Sequence, residues 1–354
     1  MTSNALHNDY PWTSPNHPLV VAAPMMKITM GRLAVTVSAN GGIGFLAGGF
    51  DLSSLLQNLS EAAEYAKSTN LPLHEGLLPI GVGVQNWGSD LQLLVQALEK
   101  HPVAAVWFFA PTHLSDLLDW AKAIRHLTDG RTKIWVQVGT VAEAIEVAKT
   151  TKPDVLIVQG SDSGGHGLVQ RASLLTLLPE VRDAFESEEI DIPVLAAGGI
   201  MDGRGAAAAL ALGADGVCLG TRFLACNEAV IAKGYQDEVL RVTDGGTSTV
   251  STTIYDTVRG IHGWPQTYVG RGVINRTYLD AVHGGMGDKE NTQLYKEAME
   301  MGDAGWGPEG RMTTYAGTGI GLVREIMSAG DIVRSVQQEA IQVLQRAASK
   351  YGKT

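Results

Sequence analysis

The feature that most limits what this chain can fold into is a rhythm of eight short apolar runs, most of them followed by a stretch with helical spacing. The runs cover 19–23, 43–47, 78–82, 104–109, 133–138, 155–159, 193–197 and 216–219. They are too short to be amphipathic helices and apolar on both sides, which predicts strands buried on two faces. Helical patterns over 52–68, 90–100, 115–126, 141–150, 172–185 and 204–212 separate them, the last so rich in alanine that it should pack closely. Such alternation builds a parallel sheet, either open and doubly wound or closed into a barrel. Glycine-rich turns follow several strands and not only one, and the eight units occupy roughly 220 residues against about 250 for a typical closed barrel. The expected fold class is therefore α/β, a TIM (β/α)8 barrel with an inserted smaller cap region near the C-terminus.

After about Asn227 the rhythm stops. Residues 235–310 are richer in Gly, Thr, Asp and Tyr, with a short helix expected at 292–301. Helical patterns at 320–327 and 331–349 then return to the barrel wall. This divides the chain into a barrel of 15–230 plus 311–354 and a cap or substrate region of 231–310.

Composition excludes several functions. Hydrophobic residues make up 45% of the 354 residues and charged ones 18%, enough to bury a large core. A formal charge of −10 with no basic stretch disfavours nucleic acid and anionic membrane surfaces as partners. Cys218 and Cys226 form neither a disulfide framework nor a zinc motif, and no metal site is expected. Residues 1–14 lack a basic segment followed by an apolar one, and the apolar run at 103–110 is far short of a membrane span. The expectation is a cytoplasmic protein.

The sharpest chemical signal is Gln-Gly-Ser-Asp-Ser-Gly-Gly-His-Gly at 159–167, directly after the sixth strand. In a closed barrel the loops at the C-terminal strand ends build the site, so His166 should project into the mouth among glycines that remove neighbouring side chains. Gly-Gly pairs are common in turns and a lone histidine is more often a packing residue, so position carries this reading. A second signal is paired: Ala-Ala-Gly-Gly-Ile at 196–200 ends the seventh strand and Gly-Thr-Arg-Phe at 220–223 the eighth. Many barrels bind a phosphate there through backbone N–H groups. Gly-Val-Gly-Val-Gln at 81–85 and Gln-Val-Gly-Thr at 137–140 follow the third and fifth strands, and Gln85, Gln137 and Gln159 could pair with a pyrimidine-like ring. Gly-Thr-Gly-Ile-Gly at 317–321 imitates a dinucleotide fingerprint, but no strand precedes it; a cofactor-touching loop and a plain capping turn remain. His74, His101, His113, His126, His262 and His283 have no metal spacing, and Asp154 and Asp215, just before strands, belong to the barrel's stability face.

Together, 159–167, 196–200, 220–223 and Ala23-Pro24-Met25 resemble the nitronate monooxygenases, formerly 2-nitropropane dioxygenases, most closely their fungal-type branch. Trp264-Pro265, Gly270-Arg271, Asn275 and Ala316-Gly317 extend the likeness over nearly the whole chain. The resemblance implies a non-covalent FMN at the top of the barrel. Its phosphate would lie on Gly198, Gly199, Gly220 and Thr221, and its ring against Ala23, Pro24 and Met25. Gln137 and Gln159 would be polar contacts, Gly165 would lie close to the ring, and Gln85, Gly164 and Thr318 are further candidates for cofactor contact. His166 matches the family's catalytic histidine, the base on a neutral nitroalkane or the group that holds the nitronate, while flavin and O2 complete oxidation to a carbonyl compound and nitrite. Where many bacterial members carry a pyrimidine-contacting Asn, this chain has Gly83. An NAD(P)H-dependent flavin reductase acting on quinones or enoyl thioesters shares the Gly-Gly-His loop and is the alternative function. Homodimer formation is compatible with the resemblance.

Overall fold

The computed structural model describes residues 2–351. Among the described residues, eight parallel strands close into a barrel. They are β1 (Leu19–Ala22), β2 (Ile43–Gly49), β3 (Leu78–Gln85), β4 (Val103–Phe109), β5 (Lys133–Val138), β6 (Val155–Gln159), β8 (Val194–Ala197) and β9 (Gly216–Leu219). The last closes on the first, with Leu19 to Ala22 in register with Gly216 to Leu219.

Side-chain alternation sorts each strand between two cores. Val21, Phe45, Trp107, Trp135, Ile157, Leu195 and Cys218 fill the inside, whereas Val20, Leu46, Val106, Val136, Leu156, Val194 and Val217 face the helices. Three large rings occupy the barrel centre: Phe45 meets Trp107 edge-on at 5.1 Å and Trp135 at 4.9 Å between centroids. Tyr10, buried just after the helix Thr2–Asp9, accepts the Trp135 indole hydrogen at 2.6 Å and plugs the N-terminal end. At that same end Asp154 and Asp215 accept the backbone N–H groups of Ile134 and Val194 at 2.7 and 2.8 Å, as expected of stability-face carboxylates.

Three features differ from the sequence expectation. Residues 81–85 are not a turn but the end of β3. Their glycines are packing gaps, since a Cβ on Gly81 would lie 2.2 Å from the Phe45 ring and one on Gly83 2.2 Å from Pro24. A helix at Gly31–Ala39, disguised by its valines and threonine, packs so tightly that a Cβ on Gly44 would meet the Ala34 carbonyl oxygen at 2.0 Å. The helix expected at 320–327 is a single 3-10 turn, Thr318–Leu322, because glycines at 317, 319 and 321 disfavour a longer one, and Met327 then bridges to Cys226.

The cap carries its own sheet. Strands β10 (Thr249–Thr252) and β11 (Tyr268–Val273) pair antiparallel, and β11 also pairs with β7 (Gly165–Leu168), the segment that contains His166. The glycine-rich string is thus partly a strand of the cap sheet, which also takes in 165–168 beside the residues of the 231–310 insertion. The helix Asp288–Glu300 takes in all but the last residue of the 292–301 expectation, and the helices Lys233–Arg241, Ile254–Arg259 and Arg276–Val282 also belong to the cap. The helix Ala329–Tyr351 then packs on the alanine-rich helix Gly203–Ala211, where a Cβ on Gly203 would come within 2.4 Å of Glu339. No helix among the described residues is long and apolar enough to cross a membrane.

Candidate active site

A cavity of about 1160 Å³ opens between the C-terminal strand ends and the cap. The turn after β1 lines one wall with Ala23, Pro24 and Met25, and Thr29 braces it by donating to the Ala23 carbonyl at 3.0 Å. Gly198 and Gly199 after β8, and Gly220 and Thr221 after β9, continue the lining from the adjoining strands, since β9 pairs with β1 and β8 with β9. Gly198 and Gly199 have φ of +110° and +77°, the left-handed region that L side chains rarely adopt, which exposes two successive peptide units. Thr221 Oγ1 accepts from the Gly317 N–H at 3.0 Å, so its own hydrogen is free to donate.

The three glutamines differ. Gln85 Oε1 is buried without a hydrogen-bond partner on the cavity wall, so it is poised to accept from a ligand. Gln137 Oε1 takes the Trp107 indole hydrogen at 3.1 Å, which leaves its NH2 for a ligand. Gln159 faces the cavity but donates to the His166 carbonyl at 3.1 Å, and so holds the histidine's backbone.

His166 lies on β7 directly across the ladder from Gly270. A Cβ on Gly270 would sit 3.2 Å from His166 Nε2, so that glycine makes room for the ring. Trp264 lies flat on the imidazole, 3.8 Å between centroids and 4° between planes. Trp87 packs behind this wall, 5.2 Å from Trp264 and 4.8 Å from Phe50, which lines the cavity as Trp264 does. His166 Nε2 is 2.8 Å from Asp256 Oδ2, and Asp256 Oδ1 accepts the Tyr315 hydroxyl at 2.7 Å. Neither partner was legible in the sequence: Asp256 is 90 residues from His166 and Tyr315 59 from Asp256, in segments without a recognisable pattern.

Gly164 and Gly165 also line the cavity, whereas Thr318 does not. Thr318 instead donates to Asp162 from both its backbone N–H and its hydroxyl, each at 3.0 Å, which ties the 317–321 turn to the loop before β7. Arg171 braces the same loop from behind. It donates to the carbonyls of Gly160, at 3.2 Å, and Leu168, and to Ser163 Oγ at 3.0 Å. Burial, then the neighbouring Arg271, pushes its pKa down to about 10, so the charge is held at a cost. Arg171→Lys keeps the charge but not the planar fork, and should lower the unfolding free energy by roughly 2–4 kcal/mol. Chemical denaturation measures it; an unchanged midpoint would mean the loop holds its shape without the fork.

The glycine cradle and the unpartnered Gln85 oxygen suit a flat ligand with a phosphate tail. The family model for nitronate monooxygenase matches residues 117–339. A nitronate monooxygenase of Metarhizium robertsii, npaC, is 47% identical over 96% of this chain and 95% of its own length. The chain belongs to the nitronate monooxygenase family. A nitronate monooxygenase of Neurospora crassa is 37% identical over 95% of this chain and 92% of its own. Among solved structures, the nitroalkane oxidase of Streptomyces ansochromogenes superposes with a TM-score of 0.72 at 26% identity, covering 97% of this chain and 99% of that one. The protein is accordingly an oxidoreductase, and the family implies a flavin cofactor. Gly83 has no space for a side chain because Pro24 fills the position, and Gln85, two residues on, offers its unpartnered oxygen to the same cavity.

Proposed function

We propose that this chain binds FMN between barrel and cap and oxidises alkyl nitronates with O2 to a carbonyl compound and nitrite, with His166 as the base that admits neutral nitroalkanes. The carrying observation is the placement of His166, hydrogen-bonded to Asp256 through one ring nitrogen, on the same cavity as the glycine cradle.

The residues fit the cofactor by their donor chemistry. Backbone N–H groups at Gly198, Gly199 and Gly220 and the Thr221 hydroxyl would hold the phosphate, Pro24 and Met25 the ring face, and Gln85 and Gln137 the pyrimidine edge. A single phosphate is favoured over a dinucleotide because the 317–321 turn is spent bracing Asp162 and its Thr318 is absent from the cavity wall. Bound flavin supplies the electron acceptor. The chain's own work is to orient and deprotonate: an imidazole is a base near neutral pH, and the carbon acid must sit beside it. Trp264 and Phe50 give the cavity an apolar wall, backed by Trp87 between them, that would limit water at the reacting carbon. Cys218 and Cys226 are buried free thiols, which supports a reducing compartment such as the cytoplasm.

The test is the visible spectrum of the purified protein, without oxygen, before and after addition of propionate 3-nitronate. Bleaching of the flavin bands is expected. A yellow protein whose spectrum stays unchanged would transfer the assignment to the NAD(P)H reductase, and a colourless one that takes up no FMN would remove the cofactor.

A further inference from the structure

Asp256 is buried on the cap helix Ile254–Arg259 and uses its two oxygens on two different partners. Oδ2 faces His166 Nε2 at 2.8 Å and Oδ1 faces the Tyr315 hydroxyl at 2.7 Å. A carboxylate can only accept, so both partners must donate. Burial, and then the Asp256 charge, push the Tyr315 pKa well above its ordinary value, so the phenol keeps the hydrogen it donates. Arg259, with its guanidinium 5.3 Å over the Tyr315 ring, pulls that pKa the other way without overcoming burial and the Asp256 charge.

We infer that Asp256 is a positioning residue that selects which nitrogen of His166 works: it keeps the hydrogen of the neutral ring on Nε2 and leaves Nδ1 as the base. The inference rests on the reading of His166 given above. A neutral imidazole has one N–H and one lone pair, and an acceptor fixed at one nitrogen decides where each goes. Stacked Trp264 holds the ring plane while Asp256 holds its edge.

Tyr315 makes the assignment testable. In Asp256→Asn the amide oxygen stays with the Tyr315 hydroxyl, which needs an acceptor. The amide NH2 then meets Nε2 and drives the ring hydrogen onto Nδ1, where the lone pair is required. Adding Tyr315→Phe removes that constraint, and the amide can turn its oxygen back toward His166.

The experiment is 15N NMR of histidine-labelled protein loaded with its cofactor, at a pH where the ring is neutral, with the His166 signals identified by their loss in His166→Asn. The wild type should show a protonated Nε2 and an unprotonated Nδ1, Asp256→Asn the reverse, and the double variant the wild-type pattern. In parallel, the rate on neutral nitroethane should fall about 10²- to 10⁴-fold in Asp256→Asn, with a smaller loss on ethylnitronate, and recover at least in part in the double variant. A wild-type ring protonated on Nδ1, which needs no variant to be seen, overturns the inference. So does a double variant that folds and is no better than Asp256→Asn. A wild type with the expected tautomer that fails to oxidise any nitronate would instead overturn the proposed reaction and leave the Asp256 assignment standing.

Discussion

A His166→Asn enzyme that retains its flavin is expected to lose about 10²- to 10⁴-fold of its rate on neutral nitroalkanes and much less on preformed nitronates. The asymmetry follows from what the imidazole does. A nitroalkane must give up a carbon-bound proton before it can be oxidised, and His166 is the ring that faces the cavity with a carboxylate behind it. A nitronate has already lost that proton. Asparagine preserves a polar, planar side chain under Trp264; its amide ends where Nδ1 stood, short of Asp256, so the substitution removes the base together with its carboxylate contact. The measurement is the steady-state rate on nitroethane and on ethylnitronate, with flavin content read from the spectrum. Equal losses on both substrates would mean that His166 holds the anion and does not remove the proton.

The second large effect is expected at Gly164. A Cβ there would lie 2.3 Å from the Ala316 carbonyl carbon and the Gly317 nitrogen, both backbone, so neither can swing aside as a side chain could. In Gly164→Ala the loop before β7 and the 316–318 segment must separate. That strains the Thr318 bonds to Asp162 and the Gly317 bond to Thr221 Oγ1, which join the histidine loop to the glycine cradle. Overpacking of this kind costs about 1–3 kcal/mol, and if it falls on the bound geometry the flavin affinity drops by up to about a hundredfold. Equilibrium dialysis against FMN and a denaturation curve separate the two losses. Wild-type affinity would show that the two segments can part without disturbing the cradle.

Much of the frame was legible in the sequence because buried parallel strands leave a strong signature. The apolar runs that became β4, β5, β6 and β9 lie within a residue of the observed strands, each being apolar on both faces between polar breaks. Position after β6 marks His166, and position after β8 and β9 the two glycine turns, as residues of the barrel mouth, and all of them line the cavity. Three kinds of information were hidden. Glycines that make room for a neighbour, as Gly81 does for Phe45, look like turn glycines until the neighbour is known. The helix Gly31–Ala39, buried on most sides, carries no amphipathic stripe. Asp256 and Tyr315 find His166 through the register of the cap sheet and the placement of one cap helix, and no local pattern announces pairings that distant.

The placement of β7 has one more consequence. His166 hydrogen-bonds and stacks with residues of the insertion, whereas the glycines proposed to hold the phosphate belong to barrel turns. Grafting the 231–310 segment of a relative onto this barrel would therefore exchange more than a substrate wall. Asp256 and Trp264 would travel with the graft, and the acid–base character of a histidine that had itself stayed behind would be inherited from the donor.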